Sequence, residues 1–134
     1  MSRSNERRAA FEIIFSLPFN LDTSTEQLIE NYYEAKDLVN TPEYVKSTVE
    51  GVRGHIDEID SLISDNLKNW APERVDLVCR AALRLCIYEM LYNDQIPTSV
   101  AINEAINIAK EYSGQKAGAF VNGVVSPIAK DKNN

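Results

Sequence analysis

The sequence predicts an all-α fold of six to seven helices. Three observations carry that prediction. Apolar residues recur at helical spacing through nearly the whole chain, proline, glycine and capping residues punctuate the segments, and no run alternates with the period of two that marks a strand. The clearest series is Val45, Val49, Val52, Ile56, Ile59, Ile63, Leu67 and Trp70, with steps of four, three, four, three, four, four and three. With no internal repeat and no flexible linker, residues 1–134 (15.1 kDa) read as one domain, large enough to bury a core without staples.

In the first segment Ala10, Phe11, Ile14, Phe15 and Leu17 form one apolar stripe, and Pro18 marks its end. FNLDTST reads as a loop. A short helix from about Thr25 to Leu38 then offers Leu28, Ile29, Tyr32 and Tyr33 to the core. NTPEY starts a third helix, with Thr41 suited to cap it, Pro42 to its first position and Glu43 to its positive end. The spacing predicts that this helix runs unbroken for about seven turns to Trp70. Gly51 and Gly54 lower its propensity and allow a neighbouring helix to come close. Pro72 breaks it. VDLVCRAALRLCIYEMLY is apolar nearly all round, which predicts a central helix, so Asp76, Arg80, Arg84 and Glu89 need partners or an edge that reaches water. After the loop NDQIPTS, Thr98 or Ser99 caps a fifth helix that Gly114 stops. The last helix, from about Gln115 to Ala129, buries Ala117, Phe120, Val121, Val124 and Ile128, and KDKNN is expected to fray.

No apolar run approaches the roughly 20 residues of a membrane span, and the start lacks the apolar centre of a secretory signal. The expectation is a cytoplasmic protein that engages no membrane. Cys79 and Cys86 lie seven residues apart in one predicted helix, about 10 Å at a rise of 1.5 Å per residue, too far for a disulfide. They read as small core residues. His55 is the only histidine and is placed on the polar side of the long third helix; with no CxxC pair, no metal site is expected. EIDSLISD reads as a solvated acidic face, and no Walker, GxSxG or HExxH motif occurs. The chain is therefore expected not to be an enzyme and to need no cofactor.

Function is sought instead in MSRSNERRAAF. The protein is acidic, with a formal net charge of -6 and a pI near 4.8, yet three arginines gather at the start of its first helix. Arg3 and Arg7 share a face, and Arg8 lies about 100° away. Guanidinium forks match phosphate oxygens and stack on bases, so the cluster suits single-stranded nucleic acid. The alternative is that the arginines pair with Glu6, Glu12 or acids elsewhere. Overall acidity does not decide between them, because charge effects are screened within about 8–10 Å at physiological salt.

The second half carries a more specific signal. Trp70-x3-Arg74, A-x-LRL-x-x-YE from Ala81 to Glu89, P-x-x-VAINEA from Pro97 to Ala105, then Ala109-Lys110 and FVNGV from Phe120 to Val124 together closely resemble the NusB family. The arginine segment and Gly51-Val52 extend the resemblance over nearly the whole chain. It implies an all-helical fold of two packed bundles and a transcription antitermination factor. Such a protein binds boxA RNA of nascent ribosomal-operon transcripts together with NusE, a ribosomal protein, and joins other Nus factors on RNA polymerase. On the matching positions the resemblance makes Arg3, Arg7, Arg8 and Phe120 the RNA-binding residues, with Ser4 where a further arginine is common. Phe120 either meets a base or, at helical spacing with Val124, belongs to the core. The resemblance assigns Phe15 and Arg80 to the NusE contact, with Cys79 standing where an acid is frequent. Glu104 is expected to neutralise Arg84 as a structural pair, and Asn122 to be a buried hydrogen bonder. The rival reading is a protein-interaction scaffold or homodimer that buries Phe15, Phe19 or Phe120 and binds little RNA.

Overall fold

The structure, a computed structural model, describes residues 2–68 and 71–132. Among them are seven α-helices and no strand: α1 Arg3–Ser16, α2 Thr25–Ala35, α3 Glu43–Gly54, α4 Ile56–Asp65, α5 Leu77–Tyr92, α6 Thr98–Ser113 and α7 Gln115–Lys132. Single 3-10 turns at Leu17–Phe19 and Pro72–Arg74 follow α1 and precede α5. Trp70 lies outside the described residues, as do the last two residues of KDKNN.

α5 is the axis. It packs on α1 and α3 on one side and on α4, α6 and α7 on the other, while α2 covers α1 and α3. The reason is its composition. Ala81, Ala82, Leu83, Leu85, Cys86, Ile87 and Met90 point in almost every direction and are all buried. At about 25 cal/mol per Å² of apolar surface, such a helix is stable only when surrounded. Cys79 and Cys86 are free and belong to this core, and burial pushes the Cys79 thiol up to about 12.

Several local expectations change. The predicted seven-turn helix is two helices, broken where His55 leaves the helical region at φ -112° and ψ 18°. The apolar spacing hid the break, because a one-residue bend lets Val45, Val49 and Val52 in α3 and Ile59 and Ile63 in α4 reach the same core. His55 accordingly does not sit on a helix face; its ring stacks on Tyr92 at 3.9 Å. Pro42 precedes α3 rather than opening it, and Thr41 makes no cap bond. Neither Thr98 nor Ser99 caps α6, which begins after Pro97. Thr98 instead accepts a hydrogen bond from Lys132 Nζ at 3.0 Å, and the same amine donates to the Met90 carbonyl at 2.6 Å. That clamp carries α7 three residues past its expected end. Gly114 stops α6 as predicted, at φ +90°, where a side chain would be strained.

The two glycines of α3 behave differently. A Cβ at Gly51 would run into the Tyr88 ring of α5, whereas one at Gly54 would meet nothing within 4 Å. Gly51→Ala is therefore expected to cost about 1–3 kcal/mol of stability through forced repacking. Gly54→Ala, which only gains helix propensity, should stabilise by up to about 1 kcal/mol. Urea denaturation of the two variants checks the contrast, and equal effects would refute the close approach.

Candidate nucleic-acid interface

Ser2 caps α1 by accepting from the Asn5 amide at 3.1 Å, which starts the helix at Arg3 and fixes where its arginines point. They go to three different places. Arg7 lies on the continuation of the stripe Ala10, Phe11 and Ile14, and its side chain is 3% exposed. Its Nε donates to both carboxylate oxygens of Glu89 in α5, at 3.0 and 3.1 Å, and Nη1 lies 3.7 Å from Glu104 of α6. Tyr44 of α3 donates its hydroxyl to the same Glu89 carboxylate at 2.5 Å. Burial disfavours the Arg7 charge, but the hydrogen bonds and charge of Glu89 more than offset this and raise its pKa. Burial, then the Glu89 charge, likewise pushes the Tyr44 hydroxyl far above the ordinary tyrosine value. Arg7 thus does not stand at the surface place that the sequence reading gave it among the RNA-binding residues. It is the cation of a buried three-helix network.

Arg3 and Arg8 do face water, at 57% and 41% side-chain exposure. Arg3 pairs with Glu6 at 3.2 Å, and its guanidinium carbon sits 4.3 Å above the Tyr44 ring. Arg8 crosses to the last turn of α6 and makes a two-pronged bond with Glu111, Nη2 to Oε1 at 2.9 Å and Nε to Oε2 at 3.0 Å. That hydrogen bond is the main cause lowering the Glu111 pKa. Exposed pairs of this kind are worth only about 0–1 kcal/mol, so either guanidinium can exchange its carboxylate for a phosphate at little cost.

Arg8 also fixes geography. Two residues beyond Glu111, Ser113 lines a hollow of about 260 Å³ together with Arg74, Asp76, Cys79, Lys116 and Phe120. Phe120 is half-buried in α7, packed against the core and lining this hollow, so it is not a fully buried core residue. The Arg8–Glu111 bond therefore brings the basic end of α1 to the last turn of α6, which Gly114 joins to the helix that carries FVNGV. Asn122, by contrast, is exposed and accepts from Ser126 at 2.9 Å, not a buried bonder.

The remaining assignments separate. Phe15 is half-buried between Phe11 and Phe19, with ring centroids 6.4 and 6.2 Å away, and Phe19 and Leu21 beside it are 64% and 76% exposed. Arg80 is held within the chain: Nη2 donates to the Pro72 carbonyl at 2.6 Å and Nη1 lies 4.0 Å from Asp60. Arg84 does not pair with Glu104. It grips Asp60 of α4 through Nε at 2.9 Å and Nη2 at 2.8 Å. The cause is the helical phase of α5. Arg80 and Arg84, four apart, both face α4, whereas Glu104 lies on the side of α6 turned to α1. Asp60 is thereby withdrawn from the solvated acidic face predicted for EIDSLISD.

Comparison with known proteins places this architecture. The model of the NusB family matches residues 4–130. A transcription antitermination protein NusB of Acetivibrio thermocellus is 42% identical over 133 residues, covering 98% of this chain and 91% of that one. Among solved structures, NusB of T. maritima superposes with a TM-score of 0.87 at 36% identity, covering 98% and 92% of the two chains. A NusB chain crystallised with NusE and double-stranded RNA gives 0.83 at 31% identity, covering 98% and 99%.

Arg7→Ala is expected to destabilise the fold by about 3–5 kcal/mol, because it removes the cation of the buried pair and leaves the Glu89 carboxylate with the Tyr44 hydroxyl as its remaining donor. Arg8→Ala should cost less than about 1 kcal/mol. Guanidinium denaturation separates them, and a small loss for Arg7→Ala would contradict the network. Alkali adds a second check. The folded state holds the Tyr44 proton after the unfolded chain has begun to release its own near pH ~10, so stability falls as pH rises above that value. Tyr44→Phe should make that alkaline loss less steep in melting curves recorded from pH 8 to 11.

Proposed function

The chain belongs to the NusB family, and from that premise we propose that it is a transcription antitermination factor that binds boxA RNA of nascent ribosomal transcripts together with NusE. In this reading Arg3 and Arg8 take phosphates, Phe120 stacks on a base, and the acidic remainder of the surface faces proteins. The observation that carries it is the Arg8–Glu111 contact, which brings the basic end of α1 alongside the turn that leads to Phe120. A single strand crossing that face meets exchangeable guanidiniums and an aromatic edge, the combination that grips single-stranded nucleic acid. The buried carboxylate, Glu89, has no exposed surface and is engaged by Arg7 and Tyr44.

The partner surface in this proposal is the ridge of Phe15, Phe19 and Leu21 at the end of α1, on which NusE would cover exposed apolar area. Other Nus factors and RNA polymerase then join through that complex. One observation favours the second reading, a scaffold or homodimer: the same exposed aromatics would serve a second copy equally well.

Fluorescence anisotropy with a boxA RNA and a scrambled control, with and without NusE, tests the proposal. The boxA strand should bind more tightly than the scramble, NusE should strengthen it, and Phe120→Ala should cost about 1–3 kcal/mol of affinity. If neither RNA binds even with NusE present, the scaffold reading replaces this one.

A further inference from the structure

Each arginine of the N-terminal cluster already has a carboxylate of its own: Glu6 for Arg3, Glu89 for Arg7 and Glu111 for Arg8. The uncompensated positive charge of this face lies elsewhere. Arg74 and Lys116 line the hollow on one side of Phe120, and Lys68 lines a second, shallower hollow on the other side with Asn66, Ala119 and Gly123. All three cations are exposed, and among the described residues none is engaged in an ion pair or a side-chain hydrogen bond. Asp76 is the only carboxylate among the described residues lining either hollow, and its Oδ1 is occupied in accepting from the Cys79 amide at 2.8 Å as the cap of α5.

The floor of the larger hollow is apolar and preformed. Val75, Cys79 and Ala117 are 8%, 3% and 7% exposed there, and Phe120 closes one side. The rim is polar, from Arg74, Asp76, Ser113 and Lys116. A concave apolar floor with a few polar groups at the edge is the form of a small-ligand pocket, and here its size and flat aromatic wall suit one unstacked base. Water at the rim keeps the cations solvated until a polyanion replaces it, so the favourable term on binding is release of the strand's counterions.

We propose that Phe120 divides two successive nucleotide subsites of single-stranded RNA, and that Lys68, Arg74 and Lys116 provide the phosphate contacts on its two sides. The base in the larger hollow lies against Phe120, Cys79 and Ala117. The Asp76 carboxylate and the Ser113 hydroxyl stand on the rim as acceptors for its edge, which favours a base that carries an amino donor. The strand then passes over Gly123, where the missing side chain leaves open space, toward Lys68. This inference rests on the RNA-binding reading above and adds to Arg3 and Arg8 phosphate contacts from residues that the N-terminal motif does not contain.

The test is the salt dependence of binding of a fluorescent boxA RNA to the full chain with NusE present. Wild type is compared with the triple variant Lys68→Ala/Arg74→Ala/Lys116→Ala and with Asp76→Asn, which keeps an Oδ1 to cap α5. Three contacts at ~0.7 each predict that the slope of log affinity against log salt becomes shallower by about 2 in the triple variant. Its helical circular dichroism should be unchanged, because all three side chains are exposed. Asp76→Asn should keep the slope and narrow the preference between RNAs that differ in amino-bearing bases. If wild type binds and the triple variant keeps both affinity and slope, the inference falls while the RNA reading stands. If the triple variant loses NusE but not RNA, the patch is a protein surface and the inference falls. If wild type binds no RNA, the functional reading fails and the inference falls with it.

Discussion

A carboxylate with no exposed surface sits on the central helix, and the molecule is arranged around satisfying it. Glu89 is 0% exposed. An isolated charge in that position would cost many kcal/mol by desolvation, so the fold exists only if donors arrive from other helices. Arg7 comes from α1 and Tyr44 from α3, and both reach Glu89 at hydrogen-bonding distance. One residue therefore sets the register of three helices at once. Apolar packing alone tolerates sliding by a turn; a buried carboxylate with two directed donors does not.

The same constraint divides the arginine cluster. Because Arg7 must point inward, Arg8, one step around the helix, is directed across to α6, and Arg3, one turn back, rests on the outer face of the Tyr44 ring. The buried network thus acts as the mount for the outward guanidiniums. Their partners, Glu6 and Glu111, hold them loosely enough to be displaced. The hollow at Phe120 lies beyond the end of α6 to which Arg8 is tied. An acidic protein can present such a face because screening confines each charge to its neighbourhood, and most carboxylates lie on other helices.

Much of this was legible in the residues. Helical periodicity located core residues of α1, α3, α4 and α7, since Phe11, Ile14, Val45, Val49, Ile63, Val121 and Val124 are all buried where the spacing put them. The encircled character of α5 followed from its composition, as did the need of its charges for partners. Pairing was not legible, because it depends on the rotation of one helix against another, and no single-helix pattern contains that angle. Hence Arg84 was matched with Glu104 when α5 turns it to Asp60. A signal for Arg7 was present and read otherwise: it occupies the position before Ala10, Phe11 and Ile14 on the apolar stripe, so a helix places it in the core. Glu89, one step from Met90 and three from Cys86, was read as a charge in need of partners, and Arg7 and Tyr44 are those partners. The break at His55 left no trace in the spacing, because a bend of one residue preserves the buried face.

In the proposed reading Arg7 organises the fold and does not touch RNA, while Arg3 and Arg8 do. The most direct measurement replaces the buried pair with apolar groups, Arg7→Met/Glu89→Leu, which leaves net charge unchanged, and follows boxA RNA affinity across a salt series beside Arg3→Ala/Arg8→Ala. The apolar swap should keep the wild-type affinity and salt slope. The exposed double variant should weaken binding and make the slope shallower by about 1.4, at ~0.7 per contact. A swap that remains folded yet loses a full contact from its slope would show Arg7 on the RNA, and would contradict the division of the cluster.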